Sequence, residues 1–393
     1  MDNFTQLRTE NYNYIKNKVI NEVTLEKKEY QNKRFCFTSA NLRNFLPSLD
    51  IDQHETIYQN ILINRGMLLN ETKHISMLDA LISKNPNLDP HICNFDEHKK
   101  NAKIFCTYHL GAYRTIIGLL AKSGLDFILP IDTNTYNNQK DDILALVKSI
   151  QENYQTQGYF QIVDAEKPDV GILLAESLRE NINLIIYIDG NSGTGGVFNK
   201  KADVQNVQFL NKNILVRKGI AHLSYLTKKS IIPFISHYES HLAIYPIIEL
   251  FNAAIPDQKV DLQTYITNTN NYLWGILEDK LKKYTEQWEG WFYIHKYLEL
   301  NDKANIFDKT NDQITINNDK KLCLDILRYD IFKISADNYI LNKENYAVGK
   351  ISTELFELLN KIKSNSFSYS DLIKFDKDIK LTLDELINRK VIF

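Results

Sequence analysis

The chain has few cysteines and no spacing that would pair them. Its 393 residues include four, Cys36, Cys93, Cys106 and Cys323, and no two of them form a CxxC motif. So few scattered thiols exclude a disulfide framework and disfavour a structural zinc site. The sequence therefore predicts a reducing compartment and a cytoplasmic location.

An excess of positive charge and a long apolar run are also lacking. Lys and Arg number 47 against 49 Asp and Glu, and no local basic run stands out, so we expect no nucleic-acid partner. The longest apolar runs, residues 184–188 and 231–235, have strand length. A membrane-spanning helix needs about 20 apolar residues. The first residues are polar and partly acidic, unlike a signal peptide. We expect no membrane span and, at most, peripheral contact with a membrane.

What is present points to a folded chain of two or three domains. Hydrophobic residues make up 44% of the sequence, enough for a sizeable core. Residues 1–100 have the pattern of a helical N-terminal region. Residues 101–300 alternate short β-branched or aromatic runs with helical segments, which is typical of an α/β domain.

The predicted elements define the fold class. Strands are expected at 103–108, 126–131, 158–163 and 184–189, and helices at 112–122, 141–153 and 168–181. Two further runs, 230–238 and 242–248, predict a hairpin at the sheet edge, and 262–300 predicts a long helical stretch. We therefore predict an α/β fold with a mostly parallel central sheet flanked by helices.

The first candidate site follows the strand that runs into His109. Gly111 permits a tight turn there, and a helix is predicted directly after it. In an open α/β sheet, ligands bind beyond the carboxyl ends of the strands, where a histidine can act as a general base on a hydroxyl or amine. A histidine that only caps the helix or satisfies a loop carbonyl is the alternative.

The second candidate site is Asp189, which ends another strand and begins a Gly-rich loop from Gly190 to Gly196. No Lys-Ser/Thr pair follows the last glycine and no helix pattern begins there, so the loop does not match a phosphate-binding P-loop. It favours instead a loop whose backbone a ligand can approach closely. Since Asp189 and His109 both end strands, we expect them to face one crevice.

Five landmarks follow one another across residues 100–300. They are His109-Leu-Gly-Ala-Tyr-Arg114, Asp189-Gly190, the segment from Phe209 to Arg217-Lys218-Gly219-Ile-Ala221, Ile231-Ile-Pro233-Phe, and Gln287-Trp288-Glu-Gly-Trp291-Phe-Tyr-Ile-His295-Lys296. Their order resembles that of the lysophospholipid acyltransferase superfamily, specifically its branch of lipid A biosynthesis late acyltransferases. That branch carries His-Phe-Gly-Asn-Trp-Glu at the first landmark and Asp-Gln at the second.

The resemblance implies an acyltransferase-like domain over residues 101–300. Its reaction would move an acyl chain from an acyl carrier protein or coenzyme A thioester to a hydroxyl or amine, with His109 as the general base. Nearby donors would stabilise the tetrahedral oxyanion. The family uses no metal, no tightly bound cofactor and no covalent acyl-enzyme intermediate.

Arg114 departs from the family, which carries Glu or Asp five residues after the histidine to orient the imidazole. A cation at that position cannot accept the ring N–H and disfavours protonated histidine. Three interpretations stay open. Another carboxylate, Asp189 or Glu176, takes the place of the acid; Arg114 binds a donor phosphate or an acidic acceptor; or the site is inactive and the domain only binds.

The expected catalytic residues are thus His109 and Asp189. Arg217 and Lys218, before a predicted helix, are expected to meet a phosphate or the acidic face of a carrier protein, with simple solvation as the alternative. The Trp-rich stretch around Trp288 is expected to pack in the core or to wall an acyl chain. Substrate contacts are expected from Gly111, Arg114, Glu176, Gly190, Arg217, Lys218, Gly219 and Trp288, and no metal ligands are expected.

Residues 322–393 follow a polar connector and predict a separate module. A short hairpin around 339–349 is followed by helices at 353–362, near 369, and at 381–387. This arrangement resembles the small winged-helix modules of pyrroloquinoline quinone biosynthesis, which recognise leader peptides by strand addition. The resemblance implies a peptide partner, and a structural cap is the alternative.

Two functions are compatible with these residues. The first is an acyltransferase that acts on a specialised acceptor, a peptide or a natural-product intermediate. The second is a catalytically silent subunit that presents a carrier protein or peptide to a partner enzyme. A carboxylate within hydrogen-bond reach of His109 would favour the enzyme, whereas Arg114 paired across His109 with no acid nearby would favour the binding subunit.

Overall fold

A computed structural model describes residues 3–24, 29–73, 75–86, 95–190, 203–301, 304–307, 321–364, 367–375 and 379–393. Cys93 and most of the Gly-rich loop, residues 191–196, lie outside the described residues. The expectation that a ligand approaches the backbone of that loop falls on them.

In the described chain, five helices come first, strands and helices are then mixed, and three strands followed by three helices come last. The helices are α1 (Asn3–Thr24), α2 (Glu29–Phe45), α3 (Ile51–Lys73), α4 (Ile75–Ser83), α5 (Asp96–Lys100), α6 (Thr115–Lys122), α7 (Thr133–Tyr154), α8 (Val170–Arg179), α9 (Gly219–Thr227), α10 (Leu262–Leu281), α11 (Thr353–Ser364), α12 (Tyr369–Phe375) and α13 (Lys380–Asn388). The strands are β1 (Ile104–Thr107), β2 (Phe127–Ile131), β3 (Phe160–Asp164), β4 (Asn183–Tyr187), β5 (Val204–Phe209), β6 (Lys212–Arg217), β7 (Ile231–His237), β8 (Ile247–Leu250), β9 (Tyr329–Ile334), β10 (Asp337–Asn342) and β11 (Val348–Ile351).

The central sheet has six strands in the order β3-β2-β4-β1-β7-β8. The first five run parallel, and β8 pairs antiparallel with β7 at the edge. The predicted α/β class and mostly parallel sheet are therefore confirmed. Strand β1 pairs on one side with β4, where Thr107 lies opposite Tyr187, and on the other side with β7.

Burial explains why the inner strands were readable as continuous apolar runs. Strands β1 and β7 are buried at every residue, as expected for parallel strands covered on both faces. Phe105, Ile185 and Phe234 of the sheet pack in one core with the apolar faces of α6 and α7. This packing fixes the carboxyl ends of β1 and β4 side by side, which is where the candidate site lies.

Three parts of the first 300 residues differ from the expectation. The second strand of the edge hairpin begins at Ile247 rather than at 242, because residues 238–246 form an irregular connection. The stretch 262–300 is helical only to Leu281 and continues as short 3-10 turns. An antiparallel hairpin of β5 and β6 precedes α9 and was not predicted, although α9 begins at Gly219 as the family resemblance implied.

The chain divides into two compact units. The first comprises Met1–Ile20, Gln59–Gly290 and Lys296–Leu298, and the second comprises Asn21–Tyr58, Trp291–His295 and Glu299–Phe393. The expected division at residue 100 does not coincide with a unit boundary, because the N-terminal helices are shared between the units. In the first unit the buried Arg8 of α1 pairs with Glu71 of α3 at 3.0 Å. In the second, the ammonium group of Lys343 donates to Ser39 of α2 at 3.1 Å.

The second unit contains a three-stranded antiparallel sheet in the order β11-β10-β9. The predicted C-terminal helices are present as α11, α12 and α13, and they share an apolar core with β9 and β10. The sheet has one strand more than the predicted hairpin, because β9 begins ten residues before the segment that the sequence suggested. No helix in the described part of the chain is long and apolar enough to cross a membrane.

Candidate active site

His109 and Asp189 meet at the carboxyl edge of the central sheet. Each stands two residues beyond the end of its strand, β1 for His109 and β4 for Asp189, and these strands are neighbours in parallel register. The imidazole Nδ1 of His109 lies 2.9 Å from Oδ1 of Asp189. The expected proximity of the two side chains is therefore confirmed.

The carboxylate of Asp189 is buried and fully engaged. It is 1% exposed, and besides the imidazole it accepts hydrogen bonds from the backbone N–H of His109 at 2.8 Å and from the indole N–H of Trp288 at 2.7 Å. An ionised carboxylate only accepts, so Nδ1 of His109 carries the ring proton. The lone pair of the neutral imidazole is consequently on Nε2, away from Asp189.

The imidazole is held in a partly open aromatic setting. Its ring centroid lies 5.0 Å from that of Tyr113 and 4.8 Å from that of Tyr187, and a quarter (25%) of the His109 side chain is exposed. Burial lowers the pKa of His109, but the charges of Asp189 and Glu289 outweigh it and leave the pKa raised. The site therefore stabilises the imidazolium that a general base becomes when it takes a proton.

Gly111 is required by the turn that follows His109. Its φ is +58°, and a Cβ there would lie 2.6 Å from the backbone oxygen of Ser236. The turn is fixed because Ala112 donates its N–H to that same oxygen at 2.9 Å. The predicted tight turn is present, and the role of Gly111 in it is to let the backbone pass close to β7.

Gly190 lies against the imidazole. A Cβ on Gly190 would stand 3.6 Å from Cε1 of His109, an ordinary contact distance. The carbonyl of Gly190 accepts a hydrogen bond from the hydroxyl of Tyr297 at 2.9 Å. The start of the Gly-rich loop therefore forms one side of the site.

A distant segment, Gln287–Glu289, clips onto the turn. Gly111 donates its N–H to the carbonyl of Gln287 at 3.0 Å, and Glu289 donates its N–H to the carbonyl of His109 at 3.0 Å. The amide of Gln287 bonds both backbone groups of Tyr238, at 2.9 and 2.7 Å. We call this stretch the 287–289 clip. It connects the histidine loop to Tyr238, the residue that follows β7.

Trp288 was expected to wall an acyl chain or to pack in the core. It is a core residue whose indole N–H also makes a hydrogen bond. It is fully buried, packs on Phe209 with ring centroids 5.8 Å apart, and donates to Asp189. It therefore positions the carboxylate.

Arg114 does not pair across the histidine. Its guanidinium donates to Thr72 at 3.3 Å and to Gln139 at 2.7 Å. Of the two candidate carboxylates, Asp189 contacts the imidazole, whereas Glu176 is an exposed residue of α8.

The remaining expected substrate contacts lie at the end of β6 and the start of α9. Arg217 and Gly219 are exposed, and Lys218 forms an ion pair with Asp203 at 2.9 Å rather than with an acid of the site. Burial raises the pKa of Tyr297, the residue that donates to Gly190, and the charge of Arg217 partly opposes this rise. In the described ranges, no group of three or more His, Cys, Asp or Glu side chains is placed to hold a metal ion.

Several residues around the imidazole were missed in the sequence. Tyr187 had a sequence signal, since it is the last residue of β4 and precedes Asp189 by only two positions. Tyr113 had a weaker one, four residues after His109. Gln287 was part of the fifth landmark, but its bonds to Tyr238 were not foreseen, and Tyr297 had no signal because its partner Gly190 is far away in the chain. No protein-family model matches the sequence, and no curated protein does either.

Proposed function

We propose that this protein is an acyltransferase. It would move an acyl chain from an acyl carrier protein or coenzyme A thioester to a hydroxyl or amine of a specialised acceptor, a peptide or natural-product intermediate. The observation that carries the proposal is the buried Asp189 bonded to Nδ1 of His109 at 2.9 Å. A buried carboxylate that fixes the tautomer of a partly exposed histidine is the arrangement a general base needs.

The reaction follows from the free Nε2 atom. As the acceptor oxygen or nitrogen attacks the thioester carbonyl, Nε2 of His109 takes its proton, and Asp189 stabilises the resulting imidazolium. The tetrahedral intermediate then collapses: the C–S bond breaks, and the leaving thiolate receives the proton back from Nε2. The products are the acyl ester or amide and the free thiol, so no oxidant or other co-reactant is required.

The silent-subunit alternative is weaker for this domain. It would be favoured by Arg114 paired across His109 with no acid in reach, and instead the acid is in contact with the ring. Burying the carboxylate of Asp189 is unfavourable unless it is hydrogen-bonded, and three donors converge on it. So complete a set of donors around one carboxylate supports a working general base rather than an inactive site.

The direct test is acyl transfer by the purified chain. Straight-chain acyl-coenzyme A thioesters are incubated with peptides that carry Ser, Thr or Lys, and mass spectrometry measures the mass added to the peptide. We expect His109→Ala to lower the rate about 10²- to 10⁴-fold, the usual contribution of a general base. His241→Ala is the matched control, because this exposed histidine lies outside the site. Undiminished transfer by His109→Ala would contradict the mechanism.

A second role, peptide binding by the C-terminal module, is supported by the edge strand β11. This strand pairs with β10, and its side chains alternate between exposed and half-buried. An edge strand presents unpaired backbone groups to which an extended peptide can add. We propose that the module is winged-helix-like and binds the acceptor peptide or its leader there.

The test of this role is peptide binding to the full chain. Gly349 is a residue of β11 and lies opposite Ile340 of β10. Residues two apart in a strand direct their N–H groups to the same side, and Ala347 faces β10 because its carbonyl accepts from Asn342. The exposed Val348 and Lys350 therefore both direct their N–H groups to the free edge, and proline at either position removes one of these donors.

If strand addition is correct, Val348→Pro and Lys350→Pro must each weaken binding at least tenfold, measured by fluorescence anisotropy. Val348→Ala and Lys350→Ala are the matched controls, because alanine keeps the N–H. Proline variants that bind as well as their alanine controls would contradict strand addition.

A further inference from the structure

Arg114 is a cation whose described partners are all neutral. It stands directly before α6, and its hydrogen bonds go to a threonine of α3 and a glutamine of α7, Thr72 and Gln139. Within the described ranges, no carboxylate lies at ion-pair distance from its guanidinium. A half-buried charge without a counter-ion is unfavourable in the free protein.

Two carboxylates of the site, Asp189 and Glu289, have partners other than Arg114. Asp189 is occupied by His109 and Trp288. Glu289 accepts from the hydroxyl of Tyr113 at 3.2 Å and pairs with Arg65 at 3.5 Å. Arg65 thus has an acidic partner, whereas Arg114 has none among the described residues.

The charge of Arg114 influences the pKa of the His109 imidazole. The groups that act on the pKa of His109 are Asp189 and Glu289, which raise it, and Arg114, which lowers it. The guanidinium therefore lies within electrostatic range of the proposed general base.

We propose that Arg114 binds an oxyanion group of the substrate, a carboxylate or a phosphate, beside His109. A guanidinium presents five N–H donors in a planar fork that matches these groups, and Thr72 and Gln139 use two of them. The bound anion would supply the counter-charge that the described residues do not. The assignment of this anion to an acyl donor or acceptor rests on the proposed function, whereas the binding itself does not.

The proposal has a consequence for the reaction. A bound anion offsets the positive charge that opposes protonation of His109. The imidazole is therefore a stronger base in the substrate complex than in the free protein. Substrates without the anionic group would bind less tightly and also meet a weaker base.

The test is anion binding to the full chain without turnover. Sodium acetate and inorganic phosphate are titrated separately, and NMR follows the Cε1–H resonance of His109. We expect a saturable shift and a raised pKa of His109 with at least one anion. Arg114→Gln should bind that anion about tenfold more weakly or worse, the usual loss for a charge-assisted hydrogen bond. The control Arg65→Gln should bind as the wild type does.

Arg114→Lys separates a binding defect from a folding defect, because it keeps the charge and should retain part of the affinity. Absence of a saturable shift in the wild type with both anions would overturn the proposal. So would equal binding by the wild type and Arg114→Gln. Anion binding without any acyl transfer would contradict the proposed function and leave this inference standing.

A comparison of two acyl donors shows whether the bound anion belongs to the acyl donor or to the acceptor. Acyl-pantetheine and acyl-phosphopantetheine differ only in a phosphate. If Arg114 binds the donor phosphate, the wild type prefers the phosphorylated donor and Arg114→Gln loses that preference. If it binds an acceptor carboxylate, the two donors react alike, and Arg114→Gln raises KM for the acceptor.

Discussion

The substitution Asp189→Asn should switch the tautomer of His109 without removing a contact. Oδ2 of Asp189 accepts from two groups that can only donate, the backbone N–H of His109 and the indole N–H of Trp288. The oxygen of an asparagine is therefore expected at that position. Its amide nitrogen then replaces Oδ1, 2.9 Å from Nδ1 of His109 in the wild type. Because the amide nitrogen only donates, Nδ1 must accept, and the ring proton moves to Nε2.

The expected loss of activity is large, since a protonated Nε2 cannot take a proton from the acceptor. The same exchange in a Ser-His-Asp triad lowers kcat about 10⁴-fold. We expect a decrease in kcat of about 10³- to 10⁴-fold with little change in KM, because Asp189 is buried behind the imidazole. Stability should fall by about 2 kcal/mol, because a charge-assisted hydrogen bond is replaced by a neutral one.

The assay combines NMR and kinetics. Nitrogen-15 labelling of the nine histidines reports which ring nitrogen is protonated, and His109→Gln identifies the resonance of interest. Glu180→Gln is the matched control, an exposed acid-to-amide change at the end of α8. A proton that stays on Nδ1 in Asp189→Asn, or a kcat equal to that of the control, would refute the reasoning.

Three further results are expected. The kcat/KM of acyl transfer should fall as pH is lowered, with a midpoint above the ordinary histidine value of 6.5, because the raised pKa of His109 keeps the base protonated to higher pH; a pH–rate profile measures it, and a midpoint below 6.5 contradicts it. Gly111→Ala should lower the free energy of unfolding by about 2 kcal/mol in thermal denaturation, because of its positive φ and the carbonyl 2.6 Å from a Cβ, whereas Gly190→Ala should change it little. Arg8→Met should destabilise the first unit by about 3–5 kcal/mol in urea, because Glu71 is left buried without its cation, and the double variant with Glu71→Gln should recover much of the loss.

The central sheet was predictable because its signal is local. Strands β1, β2 and β3 are short runs that are each followed by a turn and a helix, so their order and type can be read residue by residue. The proximity of His109 and Asp189 followed from the same logic, because the carboxyl ends of parallel strands lie at one edge of a sheet.

The missed features depend on distant residues. Nothing near Trp288 indicates that its indole will meet a carboxylate 99 residues away. Hairpin β5–β6 was missed because its strands do not alternate regularly between apolar and polar residues and contain Asn and Lys, residues that are uncommon in strands. The polar partners of Arg114 come from α3 and α7, so the charge imbalance there became visible only in the fold.

The 287–289 clip also has a consequence for the order of events during synthesis. A ribosome adds roughly 5–20 residues per second, so Trp288 emerges about 5–20 s after Asp189, from which 99 residues separate it. In that interval His109 and Asp189 exist on the nascent chain without the indole donor and without the backbone bonds that hold the histidine loop. An unfinished chain that encountered reactive thioesters would therefore have a poorly aligned base. The proposed base is therefore held by all of these bonds only after the chain has been extended to Glu289, near the end of the first unit.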